Sequence, residues 1–331
     1  MQKFMNEAVQ GGKLWSSPIV STYSQITSGY YGVTLAANGD THFIPFSAAR
    51  GQKVDSRGVV STYSLLYTSG SAYFGGVLDP NGDIHFVPHN ATVGQKISSS
   101  GVVSTYTLLN ASGVYWGGVL APNGDIHFIP NATSSVGQKV STTGMVSTYS
   151  LVYTGGNYAG GVLAPNGDIH FVPSAASVGQ KVSALNVVST YSLAYTGGSY
   201  AGGVLASNGD IHFVPSAAGV GQKISISQAV STYTLAYTAA SAYSGGVLAP
   251  NGEIHFVPLS AAVGQKINTN GTVSTYSLSY TTSFAYGGGV LTSNGDIYLA
   301  PYLAAVGQKI ITASGFNFPQ AVAQSPFFNK Y

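Results

Sequence analysis

GGVLAPNGDIHFVP, residues 160–173, decides the fold. Two β-favouring runs flank an Asn-Gly pair, and Asn and Gly both tolerate the positive φ that a tight hairpin turn demands. The stretch predicts a hairpin closed by a two-residue type I′ loop. In the copy at residues 75–88 that loop would pair His85 with Leu78 and Phe86 with Val77. Copies recur along the chain, with Asn-Gly pairs at Asn38, Asn81, Asn123, Asn166, Asn208, Asn251 and Asn294, spaced by 42 or 43 residues. Ser-Thr-Tyr triplets ending at Tyr23, Tyr63, Tyr106, Tyr149, Tyr191, Tyr233 and Tyr276 keep step with them. So do Gly-Gln-Lys triplets ending at Lys53, Lys96, Lys139, Lys181, Lys223, Lys266 and Lys309.

Each repeat reads as four short strands: the glycine-rich run, the His-Phe run, Gly-Gln-Lys and Ser-Thr-Tyr. Four-stranded units of roughly 40–45 residues are propeller blades. The chain starts on a lone Ser-Thr-Tyr strand and finishes on Gly-Gln-Lys. The predicted fold is therefore an all-β, seven-bladed β-propeller with four antiparallel strands per blade, closed velcro-fashion by the N-terminal strand. The glycine-rich strand is expected innermost. Residues 18–311 form the propeller, with an N-terminal arm at 1–17 and a C-terminal aromatic tail at 312–331.

GGVLAPNGDIHFVP followed by GQKI resembles the NHL-type propeller repeat, with its G-V-A-V strand, G-N-I-Y-V partner and I-Q-K-F strand. The resemblance runs across the propeller and implies architecture. His stands where that repeat usually has Tyr, and the usual acid after the second strand is missing, so that group's functional residues do not carry over.

Charged residues are only 7% of the chain and the net charge is +2, which provides no basic field for nucleic acid. Cysteine is absent, excluding thiolate metal sites and disulfides. No apolar run is long enough to span a membrane, and MQKFMNEAVQGGKLW lacks the apolar core of a secretory signal. Synthesis in the cytoplasm without a signal peptide, and no membrane insertion, are the expectations.

His42, His85, His127, His170, His212 and His255 share one repeat slot, filled by Tyr298 in the seventh. A metal site needs three or four converging ligands, and equivalent slots around a ring diverge. A catalytic base must be singular, whereas these come in six copies. Each is expected to bond a neighbour in its own blade. One acid (Asp40, Asp83, Asp125, Asp168, Asp210, Glu253, Asp296) and one lysine per repeat suggest a pair within or between blades. No metal, cofactor or catalytic residue is expected.

The candidate contact residues are Tyr30, Tyr73, Tyr115, Tyr158, Tyr200, Tyr243 and Tyr286, each eight positions before a turn asparagine, together with Phe74 and Trp116, which break the symmetry. Such rings either stack on sugars or pack between blades. The tail carries Phe316, Phe318, Phe327, Phe328 and Tyr331, which suit docking into an assembly. These features predict a non-enzymatic structural or adhesive propeller, such as a virus or phage particle protein, with other protein chains as partners through the arms and surface glycans as further ligands. A multivalent carbohydrate-binding lectin is the first alternative. A lactonase- or lyase-type enzyme is the second, and outside the repeat pattern only His89, Asp55 and Asp79 are available for it.

Overall fold

The computed structural model describes residues 18–111, 114–131 and 134–312. The N-terminal arm and the tail rings from Phe316 to Tyr331 lie outside the described residues. Blade one consists of β2 (Tyr30–Leu35), β3 (Thr41–Pro45), β4 (Gly51–Val54) and β5 (Val60–Tyr63), hydrogen-bonded in that order. The pattern repeats to blade seven, made of β26 (Tyr286–Leu291), β27 (Asp296–Pro301) and β28 (Gly307–Ile311). Its fourth strand is β1 (Ile19–Tyr23), which pairs antiparallel with β28 from Ile19↔Ile311 to Tyr23↔Gly307. The ring therefore closes as the sequence predicts, and the described residues contain no helix.

The hairpin turn differs from the expectation. In blade two the Gly82 N–H bonds the Asp79 carbonyl at 3.1 Å, and the Asp79 N–H bonds the Asp83 carbonyl at 2.8 Å. Gly82 has φ +86°, while Asn81 keeps an ordinary negative φ. This is a type I turn followed by a left-handed glycine, a three-residue loop. Proline ahead of the pair, as at Pro80 and Pro165, favours the second position of a type I turn. The extra loop residue moves the register by one: His85 pairs with Val77 and Leu78 with Ile84.

Three repeated contacts build the blades. The glycine of each Gly-Gln-Lys lies across from the Ser-Thr-Tyr tyrosine, as in Gly51↔Tyr63, and its missing Cβ leaves room for that ring. The glutamine, fully buried, reaches back to the chain leaving the previous blade: Gln95 Oε1 accepts from Leu66 N at 2.9 Å and Tyr67 N at 2.8 Å. The second glycine of the inner strand meets aliphatic groups of the preceding blade. A Cβ on Gly118 would stand 2.7 Å from Val77 Cγ2 and 3.0 Å from Val87 Cγ2.

Candidate functional site

The slot histidines are buried in their own blades. His42, His85 and His255 place Nδ1 at 3.3, 3.2 and 3.2 Å from the hydroxyls of Tyr63, Tyr106 and Tyr276. His127, His170 and His212 keep ring spacings of 5.3–5.4 Å to Tyr149, Tyr191 and Tyr233. Burial, reinforced by the neighbouring lysine, pushes His42, His127, His170 and His212 down to a pKa of about 4. The repeated acid and lysine pair within one blade, from Lys53–Asp40 at 2.6 Å to Lys223–Asp210 at 2.8 Å. Among the described residues, no three His, Asp or Glu side chains gather to hold a metal ion.

The seven candidate tyrosines are buried as well. Tyr30, Tyr73, Tyr115, Tyr158, Tyr200, Tyr243 and Tyr286 are 0–1% exposed. Most donate their hydroxyl to a backbone carbonyl twenty residues on, as Tyr30 does to Arg50 at 2.9 Å and Tyr286 to Val306 at 3.1 Å. Their rings are out of reach of a sugar. The residue that follows each of them is the informative one.

That residue lies at a break in the inner-strand register. In blade two Tyr73 pairs with Pro88 and Gly75 with Val87, so Phe74 is an extra residue without a partner. A β-bulge of this kind re-aims a side chain, and here the bulged position lines the axial channel. Its occupants are Tyr31, Phe74 and Trp116 in blades one to three, then Ala159, Ala201, Ser244 and Gly287. The enclosed space of the channel is only ≈ 40 Å³, enough for water and no more.

The three large rings form one end of an aromatic crescent. Tyr31 stacks on Phe74 with centroids 4.0 Å apart, and Phe74 on Trp116 at 5.2 Å with planes 8° apart. Phe46 and Tyr302, from the position just past the second strand, pack edge-on at 5.6 Å. His89 holds the same position in blade two and stacks on Phe74 at 5.5 Å. Ring closure brings Tyr302 of blade seven against Tyr31 of blade one, at 5.4 Å.

His89 is the histidine outside the repeat slot. Its Nδ1 lies 3.1 Å from the Ser71 carbonyl, an acceptor only, so Nδ1 carries the proton and Nε2 a lone pair. Partial burial lowers its pKa, against the opposing pull of that carbonyl, and keeps the ring neutral at pH 7. Asp79 and Asp55 do not join it. Asp79 lies 3.5 Å from His85 Nε2, beside the Asn-Gly turn, and Asp55 pairs with exposed Arg57 at 2.8 Å. Sequence reading singled out Phe74, Trp116 and His89 but missed Tyr31, Phe46 and Tyr302. Their signal was loss of the repeat consensus at two slots.

The model of the virginiamycin B lyase family matches residues 20–309. A streptogramin B lyase structure superposes with a TM-score of 0.80 at 20% identity, covering 90% of this chain and 99% of that one. A catalytically inactive histidine-to-alanine variant of virginiamycin B lyase from Staphylococcus aureus with quinupristin gives 0.80 at 15% identity, covering 89% and 99%. Kuenenia stuttgartiensis hydrazine synthase gives 0.69 at 10% identity, covering 91% and 99%. No curated protein matches. These findings overturn the expectation of a non-enzymatic virus or phage structural protein, because the family matched along the propeller is one of lyases. The NHL-type resemblance is consistent with the same architecture. The family match spans all seven blades, and the chain belongs to the virginiamycin B lyase family.

Proposed function

We propose that the protein is a lyase-type propeller enzyme acting on a streptogramin-like substrate at the aromatic mouth of its channel, with His89 as the base. The observation that carries this reading is His89 itself. It is singular, its tautomer is set by the Ser71 carbonyl, and it belongs to the crescent that breaks the seven-fold pattern. A lyase that eliminates needs such a group: Nε2 takes a proton from carbon, the C–H electrons form the new double bond, and the leaving group departs with its bonding pair. Solvent at the open mouth supplies the proton that the leaving group takes up. Because burial depresses its pKa, His89 remains a base through neutrality and loses that role only at a pH below the ordinary imidazole range.

The test is to incubate the purified protein with quinupristin or virginiamycin B and follow ultraviolet absorbance and mass. A new double bond with no water taken up supports elimination. His89→Gln should lose at least about a hundredfold in rate, the usual contribution of a positioned base, without a change in melting temperature. Absence of turnover by the unaltered protein, or full activity in H89Q, would overturn the reading.

A further inference from the structure

Blade seven departs from the repeat at two neighbouring places on the face that carries the channel mouth. Phe284, just ahead of β26, stands where blades two and six have Ser71 and Ser241. All three hold left-handed backbone, with φ of 56°, 59° and 50°. The loop itself requires that conformation, because each carbonyl accepts an N–H from beyond the second strand. Leu303 N lies 3.0 Å from the Phe284 carbonyl, Asn90 N 3.0 Å from that of Ser71, and Ser260 N 3.1 Å from that of Ser241. Serine meets the requirement with a short polar side chain. A bulky ring at positive φ is an outlier, and such strain gathers where ligands are held. Packing within the molecule returns little for it. Phe284 is 43% exposed, the most open aromatic ring among the described residues, and its ring partner among them is Tyr302, edge-on at 6.4 Å.

Leu303 is the second departure. Its position holds Ser47, Asn90, Ala175, Ala217 and Ser260 in other blades, yet the leucine is 57% exposed. Two large apolar side chains are thus offered to solvent from hydrogen-bonded neighbours, at the blade-seven end of the crescent. From Tyr302 the rings continue through Tyr31 and Phe74 to His89, at 5.4, 4.0 and 5.5 Å. A molecule lying at the mouth therefore reaches this shelf without leaving aromatic surface. The chain leaves β28 elsewhere, with Thr312 Oγ1 bonded at 2.7 Å to the Gly295 carbonyl in the Asn-Gly turn, at the far end of the blade's strands. Neither crescent nor shelf carries an ionised side chain, so a charged group there would lose its hydration without compensation.

We infer that Phe284 and Leu303 are specificity-determining residues, forming a shelf that receives an uncharged apolar side chain of the substrate while its reacting part lies at His89. The inference rests on the mouth being the substrate site and names what that site selects. The substrate must be long enough to reach from blade two to blade seven, as a peptide of several residues is.

Virginiamycin B is titrated calorimetrically into the full chain carrying His89→Gln, so that nothing is consumed, with Phe284 intact or changed by Phe284→Ser, Phe284→Gly or Phe284→Tyr. Serine already occupies this left-handed position in two other blades, and glycine relieves it, so neither change should lower the melting temperature. The expected result is saturable binding, weakened about tenfold or more in F284S and F284G and kept in F284Y. Leu303→Ala should weaken it less. Because no charge takes part, raising salt from about 0.05 to 0.5 M should leave the affinity unchanged. Absence of saturable binding with Phe284 intact, unchanged affinity in F284S at full stability, or a steep salt dependence would overturn the inference. So would a dimer that F284S turns into a monomer in sedimentation, since a second copy would then cover the shelf. Virginiamycin B that binds but is not consumed by the unaltered protein sinks the lyase reading alone. Turnover together with undiminished binding in F284S sinks this inference alone.

Discussion

Val33 fills the inner-strand slot that is glycine in the other six blades, and Ala300, packed with it in one cluster, is the member of its own slot cut back to a methyl group. The slot of Ala300 otherwise holds Ile44, Val87, Ile129, Val172, Val214 and Val257. Bulk has moved across the seam between blades seven and one, where the pair carries four side-chain carbons against three or four in the other seams. Ala300→Val alone should overpack that seam and cost about 1–3 kcal/mol. Adding Val33→Gly should return most of the loss, since the pair then matches the other seams. Denaturant unfolding of the two single variants and the double variant measures the coupling.

The glutamine staples predict a second stability effect. Gln265, on β24 (Gly264–Ile267), accepts from Ala236 N at 3.0 Å and Tyr237 N at 2.7 Å, just beyond β21 (Val230–Tyr233) of the preceding blade. Gln265→Leu leaves two N–H groups without an acceptor. A loss of about 2–4 kcal/mol is expected, with faster amide exchange at residues 236 and 237. Unchanged exchange there would show that the staple does not hold the linker.

Acid should destabilise the fold early. An unfolded chain protonates its histidines near pH 6.5, whereas His42, His127, His170 and His212 in the fold resist protonation until about pH 4. Their depressed pKa values add stability above pH 6.5 that is lost as the pH falls to 4. Melting temperatures at pH 7.5, 6, 5 and 4.5 should fall steeply over that interval. His170→Tyr, copying Tyr298 of blade seven, should make the fall shallower. A flat profile would remove the ring of histidines from the account.

Closure by β1 gives a fourth expectation. Deleting residues 1–26 removes the partner of β28 and the Tyr23 ring, which lies 5.1 Å from that of Tyr298. The truncated protein should aggregate or melt far below the full chain, because an unpaired edge is exposed. A melt identical to that of the full chain would mean the seam closes without it.

The blade count, strand order and closure were legible because three short motifs repeat in step, and a four-stranded unit has few ways to bury its faces. The register was not, because Asn-Gly outweighed the Pro that precedes it at Pro80, Pro122, Pro165 and Pro250. The buried tyrosines drew notice by repetition, yet repetition marks what every blade needs for packing. Chemistry was to be sought where repetition fails. Phe74, Trp116 and His89 showed this in the sequence, but the approach of Tyr302 to Tyr31 depends on joining the last blade to the first.

The pairing of β1 with β28 brings the described ends, Pro18 and Thr312, to one blade of a closed ring. A circle has no obligatory starting point. Linking the ends through a short connector and opening an Asn-Gly hairpin elsewhere would yield a circular permutant with the same seven seams. The aromatic crescent would then be encoded at different places along the gene yet stand at the same angle around the axis. For this molecule the angular coordinate, more than order along the chain, locates function.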